Sequence, residues 1–191
     1  MAHFKTNIRN TVTIQCYAPN EVSQDVKRQE FYLQLSNTLK KQKKDTVIVG
    51  GDLNAKVGQD NEGLEHVMGR HGLGERNENG QLFVDFCVSH DLVIGGTIFP
   101  HKDCHKVTWV PPYHKTENQI YHVTIRWKWR RSLQDVRNKR GADIGSEHHL
   151  VVAKFKMKIQ AYKTRTEQLR KWYDVILYKE PTRCNFGSIV Y

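Results

Sequence analysis

Val47-Ile48-Val49-Gly50-Gly51 is an uninterrupted run of small and β-branched residues behind Thr46. Side chains alternate across a strand, so a strand that is apolar at consecutive positions buries both of its faces. Such a strand belongs in the interior of a sheet that is covered on both sides. This points to a layered α/β fold. Thr11 to Tyr17 alternates instead, with Val12, Ile14 and Cys16 on one face and Thr11, Thr13 and Gln15 on the other. That period of two predicts a second strand, broken by Tyr17-Ala18-Pro19-Asn20. Between the two strands, Phe31, Tyr32, Leu35 and Leu39 fall on one helical stripe within Ser23 to Lys41. Ser23 is the expected N-cap.

A polar stretch from Asp52 to Gly80 follows, carrying Gly58, Gly63, Gly69, Gly72, Gly74 and Gly80. A connection of this length inside a domain is usually functional or mobile. Leu82, Phe83, Phe86 and Cys87 predict a second helix, capped by Asn79. Asp91 to Phe99, Val107 to Val110 and Ile120 to Arg126 read as further strands. Leu150 to Ile159 is the clearest one, with Val151, Ala153, Phe155, Met157 and Ile159 opposite Lys154, Lys156 and Lys158. The lysine face suits solvation or edge protection better than a nucleic-acid-facing surface. Leu169, Trp172, Tyr173 and Ile176 could line a short amphipathic helix. Residues 161–191 read as a basic, weakly structured appendage to a domain covering 4–160.

Lys and Arg number 30 against 20 Asp and Glu, a net charge of +10. A basic surface favours polyanions such as nucleic acid, or an anionic membrane face. It is also what a merely basic soluble protein carries. With 5 Pro, 13 Gly and 38% hydrophobic residues, collagen-like and wholly disordered chains are excluded. No apolar run reaches the length that spans a bilayer. Met1 to Lys5 lacks an apolar secretory stretch, so no signal peptide is expected. Cys16, Cys87, Cys104 and Cys184 are scattered with no CxxC pair, which suits reduced thiols in an intracellular protein.

Four segments could carry chemistry. In Gly50-Gly51-Asp52-Leu53-Asn54 a buried strand ends in a carboxylate and an amide, where α/β sheets bind ligands. Two residues apart, Asp52 and Asn54 point the same way if the chain stays extended. They could then hold a water for phosphodiester hydrolysis. The same segment reads equally well as a Gly-Asp turn with Asn in a left-handed position. Gly145-Ser146-Glu147-His148-His149 could bind a metal or move protons, or be a polar turn entering a strand. In Tyr17-Ala18-Pro19-Asn20 the Tyr and Asn could donate to phosphate, although an ordinary turn explains them as well. His101, Cys104 and His105 lack an obvious fourth zinc ligand. Trp127-Lys128-Trp129-Arg130-Arg131 interleaves aromatics and cations as nucleic-acid surfaces do, or it is a strand edge covered by side-chain stems.

Taken in order, Tyr17 to Asn20, Gly51 to Asn54, Thr108-Trp109 and Ser146 to His148 resemble the endonuclease/exonuclease/phosphatase superfamily. Its members include abasic-site endonucleases, pancreatic-type deoxyribonuclease and LINE-type retrotransposon endonucleases. Ile14 to Pro19, Gly51 to Gly58 and Arg131 to Arg137 are very like the craniofacial development protein 2-like and retrotransposon-derived group. The resemblance covers roughly residues 4 to 160. It implies a partial four-layer α/β sandwich, two packed sheets flanked by helices, lacking its N-terminal strands. It further implies a metal-dependent phosphodiesterase acting on DNA, with Mg²⁺ or Mn²⁺ as cofactor. By position, Asp52 would activate water and Asn54 orient it. Tyr17 and Asn20 would hold phosphate, and Trp109 would contact the substrate. Glu147 would bind the metal, and His148 would stabilise the transition state.

Three departures stand out. The early family segment that supplies an Asn and a metal-binding Glu is not among these 191 residues, so a truncated and impaired copy is expected. Ile120-Tyr121-His122 stands where the family has Ile-Asp-His, and that Asp orients the catalytic histidine. Glu147 replaces an Asp, one methylene longer, which matters for the strict geometry of Mg²⁺. The alternative reading is a non-catalytic basic remnant that binds nucleic acid, or a transposon-derived fragment without selected function.

Overall fold

The computed structural model describes residues 1–4, 10–42, 46–111, 116–139 and 148–156, and the backbone of two short strands beyond them. In chain order the elements are β1 (Ala2–Phe4), β2 (Thr11–Tyr17), α1 (Asp25–Lys40), β3 (Thr46–Asp52) and α2 (Glu78–Ser89). They continue with β4 (Leu92–Ile94), β5 (Tyr121–Arg126), β6 (Leu133–Lys139), β7 (Leu150–Phe155), β8 (Val175–Leu177) and β9 (Ser188–Val190). Two sheets result, ordered β1-β2-β3-β5-β4 and β6-β7-β8-β9. β2 and β3 run parallel, joined through α1, and every other pairing is antiparallel.

The expected centre of the fold is where the sequence put it. β3 lies between β2 and β5, and Val47, Ile48 and Val49 are all at most 1% exposed. Alternate residues enter two separate cores. Val47 and Val49 join Val12 and Ile14 beneath Leu35 and Leu39 of α1 and Phe83 and Val84 of α2. Ile48 joins Val123 and Ile125 against Leu133, Val136, Ala153 and Phe155 of the second sheet. Each such side chain contributes about 1.5–3 kcal/mol by leaving water. The described layers are thus helices, first sheet and second sheet, as expected of the α/β sandwich.

Several boundaries differ from expectation for identifiable reasons. Ser23 is not the N-cap of α1: Gln24 holds that place, and the Ser23 hydroxyl donates to Asn20 Oδ1 at 2.7 Å. Asn77, not Asn79, caps α2, accepting from the Gly80 amide at 2.8 Å. The strand expected over 91–99 ends at Ile94 and tightens into a 3₁₀ turn over Gly95–Thr97. A Cβ on Gly95 would come within 2.8 Å of both Leu133 and Val136, so the turn is where the two sheets touch. Val107 to Val110 forms no strand, only single bridges from Trp109. Trp127–Ser132 is a 3₁₀ turn rather than a strand edge.

β6 has no clean period of two because its register shifts between Leu133 and Asp135, leaving the buried Leu133 and Val136 three apart. In β7, Ala153 and Phe155 are buried while Lys154 and Lys156 are exposed, as the alternation required. Met157, Lys158 and Ile159 lie outside the described residues, as does most of 161–191. Ile176, expected in a helix, is in β8.

Candidate functional site

Three adjacent strands end side by side. Tyr17 pairs in register with Asp52, and Asp52 pairs with Tyr121. By the alternation of each strand, all three side chains share the face that carries Ile48 and Val123, toward the second sheet. The second sheet meets them there, because His148, two residues before β7, hydrogen-bonds to Tyr121. Asp52 is 4% exposed, whereas Tyr17 is 64% exposed. A buried carboxylate therefore sits at the floor of an open rim, at the end of the sandwich where the two sheets approach.

The turn after β3 depends on Gly51. Its φ is +145°, and a Cβ there would lie 1.9 Å from the Cys16 carbonyl oxygen. Only glycine lets β3 pass so close to β2. Asn54 then adopts a left-handed φ of 48°. Asp52 and Asn54 are consequently not aligned by an extended backbone. They are linked because the Asn54 amide N–H donates to Asp52 Oδ1 at 3.0 Å. The Asn54 side chain donates to the Ala18 carbonyl at 2.8 Å, and the Ala18 amide donates to the Asp52 carbonyl at 2.8 Å. The 17–20 and 52–54 turns are thereby knitted together.

Asn79, at the start of α2, completes the knot. It is 2% exposed and donates from Nδ2 to the carbonyls of Pro19 and Asn54, each at 3.1 Å. Its Oδ1 accepts from the buried Arg28 guanidinium at 3.2 Å, and Arg28 also pairs with Asp25 and with Glu78. A cation in α1 thus fixes the helix that fixes both turns. Asn20 itself is exposed, with its Oδ1 engaged by Ser23.

Across the site, the Tyr121 hydroxyl and His148 Nδ1 share a hydrogen bond, and the two rings lie 5.5 Å apart with planes only 5° apart. Burial, then the nearby Asp52 and Tyr17, then a hydrogen bond with the Asp52 side chain push the Tyr121 phenol far above its ordinary range. Tyr121 therefore neither leaves His148 loose nor stands apart from Asp52. Burial and the Asp52 charge also push the Cys16 thiol up to about 12.

The Thr-Trp segment braces the arrangement. Thr108 Oγ1 accepts from the amides of Ile120 and Tyr121 at 2.9 and 3.1 Å, and the Thr108 carbonyl accepts from the His149 amide at 2.9 Å. Trp109 bridges both Asn118 and His148, with its ring 6.5 Å from the His148 ring. Thr108 therefore positions Tyr121 and the entry to β7 at once.

Sequence reasoning assigned no site role to Asn79, Thr108, Arg28 or Tyr121. For Thr108 the signal was its place in the Thr-Trp motif. For Asn79 and Arg28 no local pattern distinguishes them, since the partners that tie Arg28 to Asn79 and Asn79 to the two turns are 25 to 60 residues away. Glu147 and Ser146 lie outside the described residues. Among the described residues no group of three or more His, Cys, Asp or Glu could hold a metal. Asp52 alone is not a cation cage, so the described residues do not by themselves fit a divalent metal. His101, considered with Cys104 and His105, pairs instead with Asp135 at 2.5 Å.

Trp127 to Arg131 lies at the other end of β5, about 20 Å along the strand from Tyr121. There Arg130 stacks over the Trp127 ring at 3.6 Å and Lys128 lies 5.6 Å from the Trp129 ring. This aromatic and cationic run does not flank the site. Among the described residues no helix is long and apolar enough to cross a membrane.

No family model matches the chain. It is 35% identical over 162 residues, 84% of its length, to craniofacial development protein 2 from Tragulus javanicus and from Bos taurus. It spans 28% and 27% of those two relatives, under a third of their length. Among solved structures it resembles a 3'-5' exonuclease from Neisseria meningitidis, with a TM-score of 0.56 and 15% identity over 78% of this chain and 62% of that one. The endonuclease domain of TRAS1, a telomere-specific non-LTR retrotransposon, gives a TM-score of 0.56 and 14% identity, covering 82% of this chain and 63% of that one. At these identities the structural likeness is one of fold. With the motif order and the curated relatives, it bears out the resemblance to the endonuclease/exonuclease/phosphatase superfamily.

Proposed function

We propose that this chain, with the fold and motif order of the endonuclease/exonuclease/phosphatase superfamily, is a phosphodiesterase by ancestry whose substrate is DNA. One observation carries the reading. Asp52 from the first sheet and His148 from the segment that leads into the second converge on Tyr121 at the open end between the sheets. A buried carboxylate there is suited to take a proton from water attacking phosphorus. His148 is suited to stabilise the charge that develops on the phosphoryl oxygens. Tyr17 and Asn20, both exposed at the rim, would bind phosphate, Asn54 would hold the water beside Asp52, and Trp109 would pack on the substrate. Glu147, next to His148 in sequence, would be a ligand for Mg²⁺ or Mn²⁺.

The family's orienting Asp is Tyr121 in this chain. We therefore expect impaired activity. One structural relative was solved bound to a product DNA hairpin, which supports DNA as the ligand class.

The net charge of +10 supports a second reading, a non-catalytic nucleic-acid-binding remnant or a transposon-derived fragment without selected function. That reading predicts binding that weakens with salt, by about 10³- to 10⁵-fold between roughly 50 and 200 mM if six to ten phosphates are contacted.

Nicking of supercoiled plasmid with Mg²⁺, beside EDTA and Asp52→Ala controls, separates the two. Metal-dependent nicking that disappears in Asp52→Ala is expected of the phosphodiesterase. Folded protein that binds DNA in a salt-dependent way, yet nicks no faster than Asp52→Ala, would overturn the first reading in favour of the second.

A further inference from the structure

The geometry points to Tyr121 as a positioning residue that relays the orienting hydrogen bond from Asp52 to His148, taking over the task of a carboxylate with a phenol. This inference rests on the phosphodiesterase reading only for its consequence on rate; the relay itself is a matter of geometry.

Three independent features carry it. Register places Tyr121 directly beside Asp52 on the neighbouring strand, with both side chains on the face toward the second sheet. The Tyr121 hydroxyl meets His148 at Nδ1, and the two ring planes are parallel to within 5° with centroids 5.5 Å apart. Thirdly, the backbone holding Tyr121 is itself fixed, because Thr108 Oγ1 accepts from the Tyr121 amide at 3.1 Å and the Thr108 carbonyl accepts from the His149 amide at 2.9 Å. One residue thereby sets the spacing between the strand that carries Tyr121 and the segment that carries His148.

The direction of the relay follows from counting protons. An ionised carboxylate can only accept, and a phenol has one proton to give. Asp52 is the carboxylate beside it in register, so the phenol gives its proton to Asp52, an interaction that pushes the phenol's pKa up. Its oxygen is then left to accept from His148, which must carry its proton on Nδ1. That places Nε2 on the side of the ring away from Tyr121, as the atom presented to substrate. A carboxylate at position 121 would fix the same tautomer from a shorter side chain. The phenol does so from farther out, and it couples His148 to Asp52, the residue proposed to activate water.

The test reads the tautomer directly. Histidine-labelled ¹⁵N protein is examined by NMR at about pH 8, above the ordinary histidine range, with His148 assigned by its loss in His148→Gln. The expected result is a protonated Nδ1 on His148 in the parent protein. In Tyr121→Phe, which keeps the ring and removes the hydroxyl, that preference should vanish. In Asp52→Asn the amide can donate to the phenol, which then donates to His148, so the proton should move to Nε2. This second variant decides the matter if Tyr121→Phe does not fold. A parent His148 protonated on Nε2, or a tautomer unaltered in a folded variant, would overturn the relay.

Plasmid nicking is measured on the same samples. If the chain nicks, Tyr121→Phe should lose between about 10²- and 10⁴-fold, the range for losing a group that orients a functional histidine. Nicking that Asp52→Ala abolishes but Tyr121→Phe spares would sink the relay and leave the phosphodiesterase reading standing. The expected tautomers with no nicking would do the reverse.

Discussion

Tyr121 and His122 are consecutive at the start of β5, and they enter different layers. His122 points to the helix side. It is 1% exposed, packs 5.2 Å from the Phe83 ring, and donates from Nε2 to the Ala55 carbonyl at 2.7 Å. Its Nδ1 has no hydrogen-bond partner among the described residues. Burial lowers its pKa to about 4, so it is a neutral core residue. Tyr121 points to the other face, where His148 and Asp52 receive it. The helix-side layer around His122 is buried and closed, while the far end of the inter-sheet layer is polar and open at Tyr17. The comparison shows that a histidine's role here is set by the layer it enters, since His122 and His148 share a chemistry and differ in surroundings.

The largest effect should come from hollowing the closed layer. Phe83→Ala removes a fully buried ring beneath α2 and should cost about 3–5 kcal/mol in urea unfolding. A loss under about 1 kcal/mol would mean that the helix layer is not the main support of the sheet.

His122 makes the closed layer sensitive to acid. Its folded pKa of about 4 lies below the ordinary 6.5, so folding favours the neutral ring. Its contribution is complete above about pH 6.5, falls as pH drops toward 4, and levels off below that. The full change is about 3 kcal/mol. Urea unfolding at about pH 7 and pH 4.5 should show most of this loss, and His122→Phe should flatten it. An equally steep loss in His122→Phe would assign the acid sensitivity elsewhere.

Asn79→Ala sharpens the link between the layers. It leaves the carbonyls of Pro19 and Asn54 without their donor and should cost about 1–3 kcal/mol. Hydrogen exchange should quicken at the Ala18 and Asn54 amides, which bond to Asp52, while amides of β7 stay protected. Uniform loosening of both sheets would mean that Asn79 supports the whole domain rather than the two turns.

Tyr17→Phe should do least to stability. The ring is 64% exposed, so the change should stay within about 0.5 kcal/mol. Any nicking should fall about 10-fold, the equivalent of one hydrogen bond to phosphate. A large stability loss with unaltered nicking would make Tyr17 a structural residue of the rim.

What the sequence determined by itself was local or carried by motif order. The continuous run at Val47–Gly51, the alternation in 11–17 and the stripe through Leu35 and Leu39 fixed β2, α1 and β3, because periodicity records how many faces an element buries. The ordered motifs brought Tyr17, Asp52, Trp109 and His148 into one family pattern. What only the tertiary structure decided depends on partners distant in sequence. β6 was hidden by its register shift. Asn79 read as a cap until its contacts with Pro19 and Asn54 were seen. Tyr121 read as a defect because the motif recorded a missing carboxylate, and could not record that Asp52 lies beside the phenol and His148 in front of it. A hydrogen bond needs two groups at one point in space, and across 27 or 69 positions of chain only the packing of the two sheets brings them there.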